Sequence, residues 1–336
     1  MIIILSSIFL LSYACTRLFC TLAQNSKLID RPNDRTLHLE PTVRGGGVVF
    51  IALALLSIPF LCYINATSFG DWAGLLIGVI LIAVISFLDD LYHLSVTVRF
   101  AVQCVVALIV SLFLRPEHLD FIFFSISNGY VISVFIFFVV IWAINHFNFM
   151  DGLDGFCALQ AIFLLACYAT FFYCYQAAVY QDFCFILMMG LFAFLVFNFP
   201  PAKLFMGDVG SASLGLIIFS LALLGQQKYQ IPIGYWFVLN GLFLFDSTIT
   251  LLRRIANKEQ WFAPHRKHAY QRLKQYGMDT RFILLGQLII NSIAGFLVFY
   301  TLNHLINSVV VVGAVLFLLI AVYCAVEKIY PMNQRS

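Results

Sequence analysis

Long apolar runs, each close to the length of a bilayer-spanning helix, alternate along this chain with short segments that hold nearly all of its charges. Reading between charges and turn residues predicts helices near 2–22, 45–64, 72–88, 97–114, 130–147, 155–179, 183–199, 209–226, 231–252, 282–303 and 306–326. About 20 helical residues cross the hydrocarbon core, and a helix satisfies its own backbone there. Eleven spans follow. The strict alternation of barrel strands is absent. The run 97–114 must tolerate Arg99 at its end. Segment 115–130, interrupted by Ser125, Ser127, Asn128 and Gly129, reads as a re-entrant or looped hairpin rather than a span. The first run has no basic residue before it and no small-residue cleavage site after it, so it reads as an anchor, not a signal peptide.

Composition sharpens this. Of 336 residues, 62% are hydrophobic and only 10% charged, which excludes a soluble globule. A net charge of +3, spread so thinly, leaves no footprint for nucleic acid. The placement of the charges orients the helices. With the N-terminus outside, the inner segments carry Lys27, Arg31, Arg35, Arg44, Arg99, Lys203, Arg253, Arg254, Lys258, Arg266, Lys267, Arg272, Lys274, Arg281, Lys328 and Arg335, against Arg115 and Lys228 outside. Arg17 sits near the inner end of the first helix. This positive-inside asymmetry predicts an all-α polytopic membrane protein of about 11 transmembrane helices, N-terminus outside and C-terminus cytoplasmic. Residues 1–336 form a single membrane domain, with cytoplasmic loops near 23–44, 89–99, 146–155, 200–210 and 253–281. The nine cysteines form no C-x-x-C pair and read as small apolar packing residues.

Acids at membrane depth are expensive and mark functional positions. Asp89 and Asp90 close the third predicted helix as a repelling pair that a cation or a proton-transfer role relieves; a solvated helix cap is the bland alternative. Asp151 and Asp154 share one helical face, Gly152 and Gly155 leave room for a ligand, and Asn145 and Asn148 precede them at the same spacing of three. A capped glycine turn is the alternative there. Asp208, in Gly207-Asp208-Val209-Gly210-Ser211, opens a helix whose free N–H groups suit phosphate and whose carboxylate suits Mg²⁺, unless it is an ordinary cap. Asp246 sits near the inner end of the ninth helix. His265, Arg266, Lys267 and His268 form a cationic cluster that topology alone does not explain. Gly45, Gly46 and Gly47, after Arg44, read first as packing residues. His93 and His146 read as structural, and His38 as open. Together these groups fit phosphoryl transfer between a phosphate-rich soluble donor and a lipid acceptor.

The succession F-L-D-D at 87–90, N-x-x-N-x-x-D-G-L-D-G at 145–155, F-M-G-D-V-G-S at 205–211 and H-R-K-H at 265–268, with R-P-N-D-R-x-x-H and R-G-G-G at 31–47, resembles the polyprenyl-phosphate N-acetylhexosamine-1-phosphate transferases. That superfamily spans the O-antigen-initiating enzymes and the peptidoglycan translocase. The resemblance implies transfer of sugar 1-phosphate from a UDP-N-acetylhexosamine to undecaprenyl phosphate, with release of UMP, at the cytoplasmic face of a bacterial inner membrane. It implies Mg²⁺, or Mn²⁺, as cofactor. It makes Asp208, with Asp151, the metal ligands and places Asp89, Asp90, Asp151 and Asp154 in the catalytic centre. Asn145, Asn148, Arg44, His265, Arg266, His268 and Asp246 become substrate-binding residues. Two departures stand out: His93 replaces the Lys or Asp often found after the acid pair, and H-R-K-H-A-Y-Q differs from the translocase's run of histidines.

Of the two acids, Asp89 is expected to position or deprotonate the lipid phosphate, with Asp90 in support. Ala269 and Tyr270 suggest an apolar pocket for a C6 methyl, hence a 6-deoxy donor such as UDP-N-acetylfucosamine or UDP-N-acetylquinovosamine and a role in O-antigen lipopolysaccharide synthesis. UDP-N-acetylglucosamine is the alternative, and loop packing is the alternative role of the two residues. An ion-coupled transporter would place acids at the midplane within an internal repeat, and neither feature is present. Oligomeric state, including a homodimer, stays open.

Overall fold

A computed structural model describes residues 2–24, 26–31, 40–260, 263, 265–302 and 307–333. Arg35, His38 and Pro264 lie outside the described residues. The helices are α1 (Ile2–Ala23), α2 (Gly47–Ile64), α3 (Ala73–Tyr92), α4 (Val96–Phe113), α5 (Gly129–Phe149), α6 (Phe156–Cys174), α7 (Ala178–Asn198), α8 (Asp208–Tyr229), α9 (Gly234–Leu239), α10 (Gly241–Ala256), α11 (Ala269–Gln275), α12 (Thr280–Leu302) and α13 (Ser308–Ile329). Ten of these are long and apolar enough to cross a membrane.

The expected ninth span, 231–252, is not one helix. It is divided into α9 and α10 at Asn240, whose side-chain Nδ2 lies 2.7 Å from His146 Nε2. His146 is fully buried, and its Nδ1 faces the Trp142 carbonyl at 2.8 Å. That geometry makes Nδ1 the protonated nitrogen and Nε2 the acceptor of the Asn240 amide. A buried polar pair thus fixes the break, where an uninterrupted apolar helix was expected. Segment 115–130 is a hairpin, with β3 (Leu119–Asp120) antiparallel to β4 (Ser125–Ile126). Another short pair, β1 (Ile29–Asp30) with β2 (Thr42–Val43), lies in the 23–44 loop.

Helix α8 is the axis of the bundle. Every residue from Val209 to Gln226 is buried, packed chiefly by α3 and α5 and also by α2 and α6. Its small residues Gly210, Ser211, Ala212 and Ser213 let neighbours approach. Gly47 meets the Gly210 backbone closely enough to exclude a side chain at either position, and Gly46 abuts Leu204, so the glycine run packs α2 onto the entry to α8. Peripheral helices keep Leu10, Leu112, Phe138 and Phe317 exposed, as a lipid-facing surface requires. All nine cysteines are free thiols.

Candidate active site at one end of the bundle

The C-terminal ends of α3 and α5 and the N-terminal ends of α4 and α8 meet at one end of the bundle; α3, α5 and α8 each bring part of a motif, and α4 brings Arg99. Gly46 and Gly47 donate their N–H groups to the carbonyls of Phe205 and Met206, and Phe205 N–H bonds to the Val43 carbonyl. The R-G-G-G segment and F-M-G-D are thereby zipped together, carrying Arg44 to the end of α3 and Asp208 to the start of α8. Gly207 makes the turn at φ +74°, ψ 166°, a conformation available to little but glycine. Asp90 fills the space a side chain would take, since an added Cβ would stand 2.6 Å from its Oδ2.

The two adjacent acids are held differently. Asp89 is fully engaged: Oδ2 accepts from Arg99 Nη1 at 2.6 Å, and Oδ1 accepts from Leu94 N–H at 2.7 Å, closing the α3–α4 turn. Asp90 is 2% exposed. Its Oδ1 stands 3.6 Å from Arg44 Nε, and its backbone carbonyl accepts from Arg44 Nη2 at 2.6 Å. The N–H groups of Asp208 and Val209 face its carboxylate, and Oδ2 is buried without a hydrogen-bond partner. Asp89 is thus the paired acid and Asp90 the one with an unsatisfied oxygen.

Arg99 was expected only to be tolerated at a helix end. It bridges Asp89 and, at 3.4 Å, Asp208 Oδ2. A cation beside several clustered acids was the only signal available for it. Asp151 lies in the turn after α5, with the Ser211 hydroxyl on its carboxylate; burial raises its pKa well above the ordinary value, and the charges of Asp208 and Asp90 raise it further. Asn148 Nδ2 donates to Ser211 Oγ at 3.3 Å and also reaches Asp208.

The other predicted residues sit apart from this cluster. Asn145 is one turn deeper, where it donates to Gln103 Oε1 at 2.7 Å and ties α5 to α4. Asp154 accepts from Ala202 N–H at 3.0 Å and holds the 199–204 loop. Asn198, which the motif reading missed, locks that loop by accepting from Gly155 N–H and donating to the Leu204 carbonyl, both at 2.9 Å.

Asp246 is an anchor for the histidine loop. Both its oxygens accept from Ala269 N–H at 2.9 Å, Thr250 donates to it at 3.0 Å, and His268 Nδ1 stands 3.6 Å away. Tyr270 is buried, stacks on Phe156 at 4.8 Å and donates to the Phe149 carbonyl, which sets α11 against the turn carrying Asp151. Ala269 is half-buried and Tyr270 buried, and with Phe156, Leu273, Phe282 and Ile283 they line an apolar cavity. His265 lies 4.8 Å from the His268 ring, and its Nδ1 accepts from Lys267 N–H at 3.2 Å. Burial, then the neighbouring His268, Arg254 and Lys267, hold its pKa down to about 3, so it is neutral and presents an Nε2–H donor. Gln275 Nε2 donates to the Arg266 carbonyl at 2.7 Å.

Among the described residues, no three His, Cys, Asp or Glu side chains close into a metal cage. The donor set is nonetheless all oxygen: Asp208 and Asp151 clustered in mutual repulsion, with the unsatisfied Asp90 Oδ2 beside them. Such a set fits Mg²⁺, which takes one or two carboxylates and fills its remaining positions with phosphate oxygens and water.

Residues 72–226 match the family described as Glycosyl transferase family 4. Over 267 residues the chain is 30% identical to the probable undecaprenyl-phosphate N-acetylglucosaminyl 1-phosphate transferase of Bacillus subtilis, covering 76% of this chain and 72% of that protein. It is 31% identical over 207 residues to the phospho-N-acetylmuramoyl-pentapeptide-transferase of Thermotoga petrophila, covering 59% and 65% of the two chains. With the Staphylococcus epidermidis protein of the same name it shares 35% identity over 165 residues, 48% of this chain and 46% of that one. This multi-span membrane protein, with its motifs gathered at one end of the bundle, belongs to glycosyl transferase family 4.

Proposed function

We propose that the protein transfers N-acetylglucosamine 1-phosphate from UDP-N-acetylglucosamine to undecaprenyl phosphate, releasing UMP, at the cytoplasmic face of a bacterial inner membrane. Sugar-1-phosphate transfer to a polyprenyl phosphate is the activity of a phosphotransferase of this family. The observation that carries the site assignment is the convergence of Asp90, Asp151 and Asp208 with Arg44 and Arg99 where α3, α5 and α8 reach the same end of the bundle. The cytoplasmic orientation of that end is supported by sixteen basic residues against two.

In the reaction, an oxygen of the lipid phosphate attacks the β-phosphorus of the donor, the bond from that phosphorus to the bridging oxygen breaks, and UMP leaves. Asp208 and Asp151 would hold Mg²⁺, or Mn²⁺ in its place, which when bound neutralises the diphosphate as charge moves onto UMP. Asp90 lies at the α8 entry with an oxygen in reserve for the attacking phosphate. Arg44 and Arg99 hold the acids in register. His265 supplies an uncharged donor towards the sugar or diphosphate.

N-acetylglucosamine is favoured over a 6-deoxy sugar because the Bacillus subtilis relative carries that sugar in its name. The product would initiate a cell-surface glycan of the O-antigen type. Measuring kcat/KM for UDP-N-acetylglucosamine, UDP-N-acetylfucosamine and UDP-N-acetylquinovosamine tests this. Preference for the glucosamine donor is expected, and a clear preference for either 6-deoxy donor refutes the assignment of the sugar.

A further inference from the structure

Beyond the motifs, the last helix reaches back to the histidine loop through one carboxylate. Glu327, near the end of α13, accepts from Arg253 Nη1 at 2.6 Å and Nη2 at 2.9 Å, from Arg272 Nη1 at 2.6 Å and from Met332 N–H at 3.2 Å. Arg253 lies on α10 and Arg272 on α11, so a single side chain joins three elements. Arg272 is 1% exposed, and its Nη1 also donates to the Tyr330 carbonyl at 3.0 Å. Both guanidinium groups lie over the Tyr323 ring, at 5.9 and 5.1 Å. Charge-assisted, forked contacts of this kind fix orientation as well as adding energy.

Helix α11 is only seven residues long and too short to be stable alone. Its start is pinned by Asp246 on Ala269 N–H, and its middle by Glu327 on Arg272. His265 and His268 lie immediately before it, and Tyr270 and Gln271 rest on the turn that carries Asp151. Moving Arg272 therefore moves the histidines relative to the acid cluster.

We infer that Glu327 is a positioning residue for the donor: through Arg272 it sets the His265–His268 loop at the distance from Asp151 and Asp208 that UDP-sugar binding needs. The C-terminal helix is then part of the donor site without touching the donor. This inference rests on the transferase reading above.

The test uses the full-length protein in detergent, with KM for UDP-N-acetylglucosamine, KM for undecaprenyl phosphate, kcat and the melting temperature measured for wild type, Glu327→Gln and Glu327→Asp. Glu327→Gln is expected to raise the donor KM about tenfold or more while the lipid KM stays within about twofold, since the two helices it ties, α10 with Asp246 and α11 with Arg272, both hold the donor loop. Glu327→Asp keeps the charge, shortens the reach, and should give an intermediate donor KM with a melting temperature near that of wild type. Should Glu327→Gln fail to fold, Glu327→Asp decides alone. Wild-type donor KM in a folded variant, or equal rises in both KM values, overturns the positioning role. Absence of transfer by wild-type protein from all three UDP-sugars named above would instead overturn the transferase reading.

Discussion

Replacing Gly207 by Ala probes the junction on which the site depends. At φ +74° and ψ 166°, an L residue costs about 1–3 kcal/mol from backbone strain alone. The added Cβ would also lie 2.6 Å from Asp90 Oδ2, 2.7 Å from Gly45 N and 2.8 Å from Gly45 Cα, where ordinary contact begins at 3.4 Å. Two of those neighbours are backbone atoms of the strand-like segment zipped to Phe205, so they cannot rotate away. The R-G-G-G segment, Asp90 and the start of α8 must separate by about 0.7 Å. A misplacement of about 1 Å costs on the order of 10²-fold in rate when catalysis is mainly positioning. Gly277→Ala is the control, because Gly277 sits at φ +101° with nothing within 4 Å of an added Cβ. Turnover of UDP-N-acetylglucosamine and melting temperature should be measured for both. Gly207→Ala should lose at least about 10²-fold in kcat, whereas Gly277→Ala should lose stability but keep its kcat. Equal loss of kcat in the two variants, or wild-type kcat in Gly207→Ala, would show that catalysis does not depend on this junction.

Chelation by EDTA should abolish transfer and Mg²⁺ restore it, while Asp208→Asn should stay at least about 10²-fold down at any Mg²⁺ concentration, because the amide removes the charge a hard cation needs; near-normal turnover at limiting Mg²⁺ contradicts that role. Asp90→Asn should depress kcat with little change in donor KM, and Asp89→Asn should lower the melting temperature by loosening Arg99 and the α3–α4 turn; a raised donor KM with unchanged kcat in Asp90→Asn moves that acid into the nucleotide site. His265 has a folded pKa of about 3 against an ordinary 6.5, so it is neutral when folded and its stabilising contribution is fully present above about pH 6.5. That contribution is lost as pH falls from 6.5 towards 3. Melting curves from pH 7.5 to 5 should therefore fall less steeply for His265→Asn than for wild type, and identical slopes contradict the assignment.

The spans were legible because a bilayer imposes both a length and a composition, and short charged segments mark every boundary. The break in the ninth was not, because Asn240 in an apolar run carries no sign of His146, which lies far away in the chain and supplies its partner. Arg99 looked like a cost borne at a helix end for the same reason: its partners Asp89 and Asp208 belong to other helices. Asn145 and Asn148 share a spacing that suggests a shared role, yet one turn of helix separates them in depth, and Gln103 takes up the deeper amide. The motif acids of α3, α5 and α8 could be placed on one face from topology, but which oxygen of Asp89 or Asp90 is engaged depends on side-chain packing that no spacing encodes. Short elements held by tertiary contacts, β1–β2 and α11, were equally invisible.

Phosphorus, and not sugar alone, should pass to the lipid at the Asp90–Asp151–Asp208 cluster. UDP-N-acetylglucosamine labelled with ³²P in its β-phosphate, incubated with purified protein, undecaprenyl phosphate and Mg²⁺, tests it directly. The label should move entirely into the lipid with release of unlabelled UMP, and Asp208→Asn should transfer neither phosphorus nor sugar. Label remaining in water-soluble UDP while the sugar appears on the lipid would contradict it.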